Sequence, residues 1–246
     1  MNNPIKEFEL DRKRRINGNA LNQNLLEAAE SFNIESNKAQ YSYNFKWMGR
    51  PIIQYPQDIV AMQELIWEVK PDLIIETGIA HGGSLIFYAS MLELVGNGHV
   101  LGIDIDIREH NRIEIEKHPM YKRITMLQGS AIAGEIIVKV KEVAQGKEKI
   151  MVVLDSNHTH DHVLEELNAY SGLVSLNSYM VVFDTIVENL PVDYLPGHKR
   201  PWGIGDNPMT AIKAFLSQNS SFEIDTEINN KLLISVAPDG YLKRVR

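Results

Sequence analysis

The chain has 246 residues, of which 44% are hydrophobic, and this is enough for one large α/β domain with a substantial core. Its formal net charge of −7 argues against a general nucleic-acid binder, so we expect no nucleic-acid partner. The chain has no cysteine, which excludes disulfides, zinc–thiolate sites and thiol nucleophiles and fits a cytoplasmic protein. No apolar run approaches the roughly 18 residues that a membrane helix needs, so we expect no membrane span.

The N-terminal part of the chain is predicted to form a helical cap and an ordered loop, ahead of a main domain over residues 56–246. A helical pattern of leucine and alanine residues predicts one or two helices within residues 1–40. Aromatic residues mixed with glycine and proline indicate an ordered loop over residues 41–55. Pro56 then suits the first turn of a helix that runs to about Val69.

Alternating strand and helix patterns follow. Short apolar runs predict five strands, at residues 72–76, 99–104, 122–127, 149–154 and 178–183. Helical patterns separate them, at residues 83–95, 108–117, 131–145 and 160–170. Repeated βα units imply a parallel sheet with helices on both faces, and the largely apolar strands fit burial on both sides.

The end of the chain departs from this rhythm. A polar, proline-rich loop over residues 185–206 precedes a predicted helix at 208–217. Two strand-like runs follow at 221–226 and 231–236, and Ile228-Asn229-Asn230 between them gives a hairpin signal. We therefore expect a seven-stranded, mostly parallel sheet that closes with an antiparallel hairpin.

The most informative segment joins the first predicted strand of this sheet to its helix, and it reads Glu76-Thr77-Gly78-Ile79-Ala80-His81-Gly82-Gly83-Ser84. Glycine lets the backbone turn sharply and lets a ligand come close to it. The spacing differs from the Gly-x-Gly-x-x-Gly of dinucleotide-binding folds, so an NAD-linked dehydrogenase ranks last, and no Gly-Lys-Ser/Thr of a P-loop follows. The segment resembles motif I of the class I S-adenosylmethionine (SAM) methyltransferases, in which the loop wraps the methionine part of the cofactor. This resemblance assigns cofactor contacts to Glu76, Gly78, His81, Gly82 and Ser84.

Two further strand ends carry candidate cofactor contacts, because ligands of open α/β sheets sit beyond the carboxyl ends of the strands. The second strand ends at Asp104, with Asp106 close behind, and an acid here can accept both ribose hydroxyls of a nucleoside. The alternative is a loop acid that caps the next helix. After the third strand, Ser130 suits contact with an adenine edge, or it is simply a helix N-cap.

Two aspartates end the fourth and fifth strands, Asp155 and Asp184. They are either helix caps with loop hydrogen bonds, or oxygen ligands of a hard divalent cation such as Mg²⁺. A cation would serve methyl transfer to a hydroxyl, since it lowers the pKa of the hydroxyl and fixes its direction. His158 lies three residues after Asp155 and could take the proton as the catalytic base.

His160 and His162 are the other candidates for the base, and each of the three histidines could instead be an exposed residue at a helix start. The alternating spacing could also suggest an iron or zinc site. Alternate residues share a face only on a strand, however, and this segment follows a strand end and enters a predicted helix. We therefore expect His158 and His162 to share a helix face, with His160 pointing elsewhere.

In combination, several strings of this chain resemble the cephalosporin hydroxylase family over most of residues 40–246. Besides the glycine segment, they are Gly102-Ile103-Asp104-Ile105-Asp106, Leu154-Asp155-Ser156-Asn157-His158-Thr159-His160, Val182-Phe183-Asp184-Thr185, Arg200-Pro201-Trp202-Gly203 and Ala237-Pro238-Asp239-Gly240-Tyr241-Leu242. The resemblance implies the Rossmann-like class I methyltransferase fold with bound SAM and Mg²⁺. The family is similar to macrolide-sugar O-methyltransferases, so we expect a SAM-dependent O-methyltransferase acting on a hydroxyl of a sugar or small natural product.

The same resemblance implies roles at the two aspartates. Asp155 would bind the metal and contact the cofactor, and His158 would be the base. Asp184 matches the second member of a metal-binding Glu-Asp pair, whose glutamate is replaced here by Phe183. Water, substrate oxygens or Glu188 could compensate for it, or the chain could work without metal.

Two alternative functions stay open: a metal-dependent hydroxylase with iron on His158 and His160, and a non-catalytic SAM-binding protein, suggested by Phe183. The loop over 186–206 would lie above the site as a lid or substrate wall, or it would form a contact in a homo-oligomer. Its candidate residues are Glu188, His198, Lys199, Arg200 and Trp202.

Overall fold

The computed structural model of the protein describes residues 3–192 and 200–246. Two helices, α1 (Pro4–Asn19) and α2 (Gln23–Lys38), begin this part of the chain, as predicted. A 3₁₀ turn and a small antiparallel pair, β1 (Lys46–Trp47) and β2 (Arg50–Pro51), form the ordered loop that follows. No helix of the described ranges is long and apolar enough to cross a membrane.

The remaining elements form the α/β unit. In chain order they are α3 (Pro56–Val69), β3 (Leu73–Thr77), α4 (Gly83–Val95), β4 (His99–Asp104), α5 (Glu109–Glu116), β5 (Ile124–Gln128), α6 (Gly134–Ala144), β6 (Ile150–Leu154), α7 (His160–Tyr170), β7 (Tyr179–Val182), α8 (Pro208–Gln218), β8 (Phe222–Ile224), α9 (Thr226–Leu232) and β9 (Tyr241–Arg244). The seven-stranded sheet has the order β5-β4-β3-β6-β7-β9-β8. Strands β3 to β7 are parallel, and β9 is antiparallel to both of its neighbours. The predicted fold class is confirmed.

Both faces of the sheet are covered, which explains why the central strands are almost wholly apolar. Alternate residues of each strand point to opposite faces. On β3, for example, Ile74 packs into one core layer and Ile75 into the other, and both are fully buried. The strand order reverses at β3, which lies between β4 and β6, so a crevice opens beyond the carboxyl ends of these three strands.

The predicted C-terminal hairpin was wrong in its details. Residues 226–232 form helix α9, and the last strand is Tyr241–Arg244 rather than 231–236. The helix forms because the Asp225 carboxylate caps it by accepting from the Glu227 amide, and because Ile228 is buried on its inner face. The antiparallel pair itself exists, but a helix and a loop connect its two strands in place of a tight turn.

The loop over residues 41–55 packs on the main sheet unit, so the predicted division after residue 55 stays a prediction. The indole N–H of Trp47 donates to Ser90 Oγ of α4 at 2.9 Å. The Tyr55 hydroxyl, at the start of α3, lies 2.6 Å from Ser36 Oγ of α2. The first contact packs the N-terminal loop against α4, and the second joins the start of α3 to α2.

Candidate active site

The loop between β3 and α4 lies tightly against its neighbours. Gly78 has φ +91°, and a Cβ there would lie 2.0 Å from the carbonyl oxygen of Asp155 at the end of β6. A Cβ on Gly83 would lie 2.0 Å from the carbonyl oxygen of Pro51 in the N-terminal loop. Two of the motif's glycines are therefore required by close backbone approach, from β6 on one side and from the N-terminal loop on the other.

Two residues that the sequence reasoning missed brace this loop. The Arg50 guanidinium donates to the carbonyl oxygen of His81 at 2.7 and 3.0 Å, and to Asn111 Oδ1 at 2.9 Å. The Asn111 amide donates in turn to the carbonyl oxygen of Ala80 at 2.8 Å. The only signal in the sequence was a basic residue between glycine and proline in an ordered loop.

Glu76 lies fully buried beneath the glycine loop. Ser84 Oγ donates to its Oε2 at 2.9 Å, while its Oε1 has no hydrogen-bond partner among the described residues. Burial raises the pKa of the Glu76 carboxyl to about 8. A buried acceptor without a partner is rare in folded proteins, so this oxygen marks a place for a donor or a cation.

One cavity, of about 310 Å³, opens beyond β4; we call it the Asp104 cavity. Its lining includes Gly78, Asp104, Ile105, Ser130, Asp155, His162 and Trp202. Asp104 Oδ2 accepts from the backbone amides of Ile79 and Ala80 at 2.8 and 3.2 Å, which ties the glycine loop to the end of β4. The predicted pair Asp104 and Ser130 thus meets in one cavity. The Asp106 side chain is exposed, 3.9 Å from Arg108, and lies outside the described lining.

A second cavity, of about 200 Å³, opens on the other side of Asp155; we call it the His158 cavity. Its lining includes Tyr43, Gln54, His81, Ser84, Asp155, His158 and Asp184. Gly78, Ala80, Asp155 and Ser156 line both cavities, which therefore adjoin. Of the other predicted cofactor residues, Gly82 is the N-cap of α4 and Glu76 lies under the loop, and neither is in the described linings.

Asp155, His158 and Asp184 form a compact group at the point where the cavities meet. One possible ligand atom from each lies within 4.8 Å of the others. His158 Nε2 is 3.0 Å from Asp184 Oδ2. Burial, and next the charge of Asp184, raise the pKa of the Asp155 carboxyl well above its usual range. A divalent cation would offset both effects, so the donor set fits a hard metal ion.

Two details bear on the expected metal ligands. Phe183 is 1% exposed and packs into the core, so it offers the group nothing. Glu188 accepts from the Gly205 amide at 2.9 Å and from the Asn207 side chain, so it is engaged away from the aspartates. Among the described residues, His158 is the third member of the group in place of a glutamate.

Asp184 itself has φ +55°, a left-handed conformation that is uncommon outside glycine and often marks a functional site.

The three histidines of the segment lie in three different environments. Helix α7 begins at His160, so His158 precedes it, and the expected helix face shared by His158 and His162 does not form. His160 Nδ1 is 2.8 Å from Thr210 Oγ1 of α8. His162 faces the Asp104 cavity, with its Nε2 3.2 Å from Ser156 Oγ. Among the described residues, no two histidines and a carboxylate bring possible ligand atoms within 4.8 Å of one another. The geometry therefore does not favour the iron alternative.

The predicted lid reaches the site through Trp202. Its ring lines the Asp104 cavity and packs edge-to-face on His158, with ring centroids 4.9 Å apart. The Arg200 guanidinium lies 5.7 Å from the Trp202 ring centroid. His198 and Lys199 of the same prediction lie outside the described residues.

Comparisons with known proteins identify the family of this chain. The family model described as "Rhamnosyl O-methyltransferase/CmcI" matches residues 39–245. A rhamnosyl O-methyltransferase of Mycobacterium tuberculosis is 30% identical over 202 residues, 80% of this chain and 77% of the relative. Another, from Mycobacterium leprae, is 28% identical over 199 residues, 80% of this chain and 82% of the relative.

Solved structures show the same fold. A CmcI structure described with Mg and SAM has a TM-score of 0.58 and 20% identity, covering 83% of this chain and 78% of that one. The O-methyltransferase TomG of Streptomyces achromogenes, in complex with SAM, has a TM-score of 0.55 and 18% identity, covering 86% of this chain and 89% of that one. The family model and the 30% identical relative confirm the predicted class of SAM-dependent O-methyltransferase, and the chain belongs to the rhamnosyl O-methyltransferase/CmcI family.

Proposed function

We propose that this protein methylates a hydroxyl group of a rhamnosyl or similar sugar residue, with SAM as the methyl donor. The names of its relatives support a sugar acceptor. The observation that carries the proposal is the Asp155–His158–Asp184 group, because it lies where two cavities adjoin. One cavity would take the nucleoside part of the donor, and the other would take the acceptor.

Residues of the glycine loop and the strand ends suit the donor. SAM supplies the methyl group from a sulfonium, and its methionine part carries an ammonium group. Glu76 would hold that ammonium with its unpartnered Oε1, since a nearby positive charge stabilises an ionised carboxylate. Asp104 would accept the ribose hydroxyls, and Ser130 would contact the adenine edge, as their shared cavity supports.

Asp155 and Asp184 would hold a magnesium ion, the hard cation that carboxylate oxygens prefer. Such an ion lowers the pKa of a bound hydroxyl and so favours its attack on the methyl group. The raised pKa of Asp155 supports this role, because a cation is needed to keep two close carboxylates ionised.

His158 would accept the proton of the acceptor hydroxyl. When its Nε2–H donates to Asp184 Oδ2, the lone pair stands on Nδ1, and Asp184 holds the ring in that tautomer. In that tautomer, Nδ1 would be the nitrogen that faces the hydroxyl of the acceptor. The edge of Trp202 against the imidazole limits its rotation further.

Turnover on a defined acceptor tests the proposal. Purified protein with SAM and Mg²⁺ should add one methyl group to an aryl α-L-rhamnoside, detected by mass spectrometry, and removal of the metal by a chelator should slow the reaction. SAM binding without turnover on any sugar or small hydroxyl compound would instead support the non-catalytic alternative.

Self-association is a further part of the proposal. Helix α1 exposes Ile5, Phe8 and Leu10, and such apolar side chains are common at contacts between copies of a chain. Sedimentation velocity of the full chain should show a species larger than a monomer. A monomer at all concentrations would remove this part and leave the enzymatic proposal intact.

A further inference from the structure

Gln54 connects the N-terminal loop to the reaction site. It stands just before α3 and lines the His158 cavity together with Asp155, His158 and Asp184. Only 5% of its surface is exposed. Its Nε2 donates to Asp155 Oδ2 at 3.2 Å, across 101 positions of sequence.

The contact with Asp155 fixes which way the amide points. The amide nitrogen of Gln54 faces Asp155, so its amide oxygen faces elsewhere. That oxygen, Oε1, is buried and has no hydrogen-bond partner among the described residues. Buried polar atoms are nearly always paired, and an exception at a site calls for a donor that arrives with the ligand.

We infer that Gln54 is a specificity-determining residue whose Oε1 accepts a hydrogen bond from a second hydroxyl of the acceptor, beside the one that is methylated. The inference rests on the proposed function. Only the amide group of Gln54 separates Asp155 from Gln54 Oε1. The two protein groups could therefore contact two neighbouring hydroxyl oxygens of one acceptor molecule. The acceptor class that fits is a vicinal diol, as in a sugar with adjacent free hydroxyls.

The nucleoside part of the donor, in the Asp104 cavity, would supply no partner for this oxygen. Gln54 lies in the lining of the His158 cavity and not in that of the Asp104 cavity. The change Gln54→Met keeps the length and burial of the side chain and removes both polar atoms. Gln63→Met is a matched control, because it makes the same change on an exposed position of α3.

The experiment compares wild type, Gln54→Met and Gln63→Met on an aryl α-L-rhamnoside and on its monodeoxy analogues. Loss of one buried hydrogen bond predicts a KM for the rhamnoside about tenfold higher in Gln54→Met, with the SAM Kd from calorimetry within about twofold of wild type. Gln63→Met should match wild type in both quantities. For the analogue that lacks the hydroxyl in question, Gln54→Met should cause no further rise in KM.

Three outcomes would overturn the inference. They are an unchanged KM in Gln54→Met, an equal loss on the rhamnoside and on every deoxy analogue, and a matching loss of SAM affinity. The second would mean that Gln54 acts only through Asp155, and the third that the pocket is disturbed as a whole. Failure of the proposed function looks different: wild type would then turn over no rhamnoside at all, and the vicinal-diol assignment would fall with it.

Discussion

Replacement of Glu76 by glutamine should weaken SAM binding sharply without unfolding the protein. Glutamine has nearly the same shape, so Ser84 can still donate to it, but it cannot offer a negative charge to the ammonium of the donor. A hydrogen bond to a charged group is worth about 1.5–3 kcal/mol, so the Kd for SAM should rise about 10- to 150-fold.

The pH dependence of the same variant gives a second readout. The pKa of Glu76 is raised from 4.5 to about 8, so the folded protein without ligand holds this proton more tightly than the unfolded chain does. Its contribution to stability is therefore fully present below the unfolded pKa and is lost as the pH rises toward the folded pKa. Glu76→Gln should flatten this fall between about pH 5 and pH 8.

Calorimetry tests both expectations. Ionisation of Glu76 on binding SAM should release a proton near pH 7, measured by repeating the titration in buffers of different ionisation enthalpy. The variant should release correspondingly fewer protons. Ser84→Ala removes one hydrogen bond to Glu76 and keeps the carboxylate, so this variant should still release a proton when it binds SAM. Equal SAM affinity and equal proton release in wild type and Glu76→Gln would refute the reasoning.

Three further predictions concern separate parts of the structure. Gly78 and Gly96 both have φ +91°, but only a Cβ at Gly78 would lie against Asp155. In thermal unfolding, Gly78→Ala should therefore be more destabilising than Gly96→Ala by about 1–3 kcal/mol. Equal losses would contradict the close packing of the loop. Asp104→Ala should weaken SAM binding in calorimetry, and an unchanged affinity would count against its role at the ribose. Burial raises the pKa of Asp58 to about 6, so the contribution of Asp58 to stability is lost as the pH rises from about 4 to about 6. In chemical denaturation, Asp58→Asn should reduce the dependence of the unfolding free energy on pH in this range. An unaltered dependence would contradict the assigned titration.

The sequence was sufficient for the parallel part of the fold because its strands are short apolar runs separated by clear helical patterns. The secondary structure at the end of the chain was harder to predict. Asn229-Asn230 suggests a turn, yet the cap at Asp225 and the burial of Ile228 make the segment a helix. Local turn propensity was overridden there by tertiary packing.

The sequence likewise predicted some residues of the candidate site and not others. The positions of Asp104, Asp155 and Asp184 at strand ends predicted that these residues would lie near one another, because parallel strands bring their carboxyl ends to one edge. Gln54 and Arg50 could not be found, since each reaches the site through a side-chain contact between segments far apart in sequence. The different settings of the three histidines also depend on where α7 begins and on what α8 presents to it.

We propose that His158 takes a proton from the acceptor at a site next to the bound donor. The most direct test is the kcat of His158→Ala on a rhamnoside, measured beside its Kd for SAM. Loss of a general base predicts a fall in kcat of at least about 100-fold, with the SAM Kd unchanged. A variant that keeps the wild-type kcat would contradict the account.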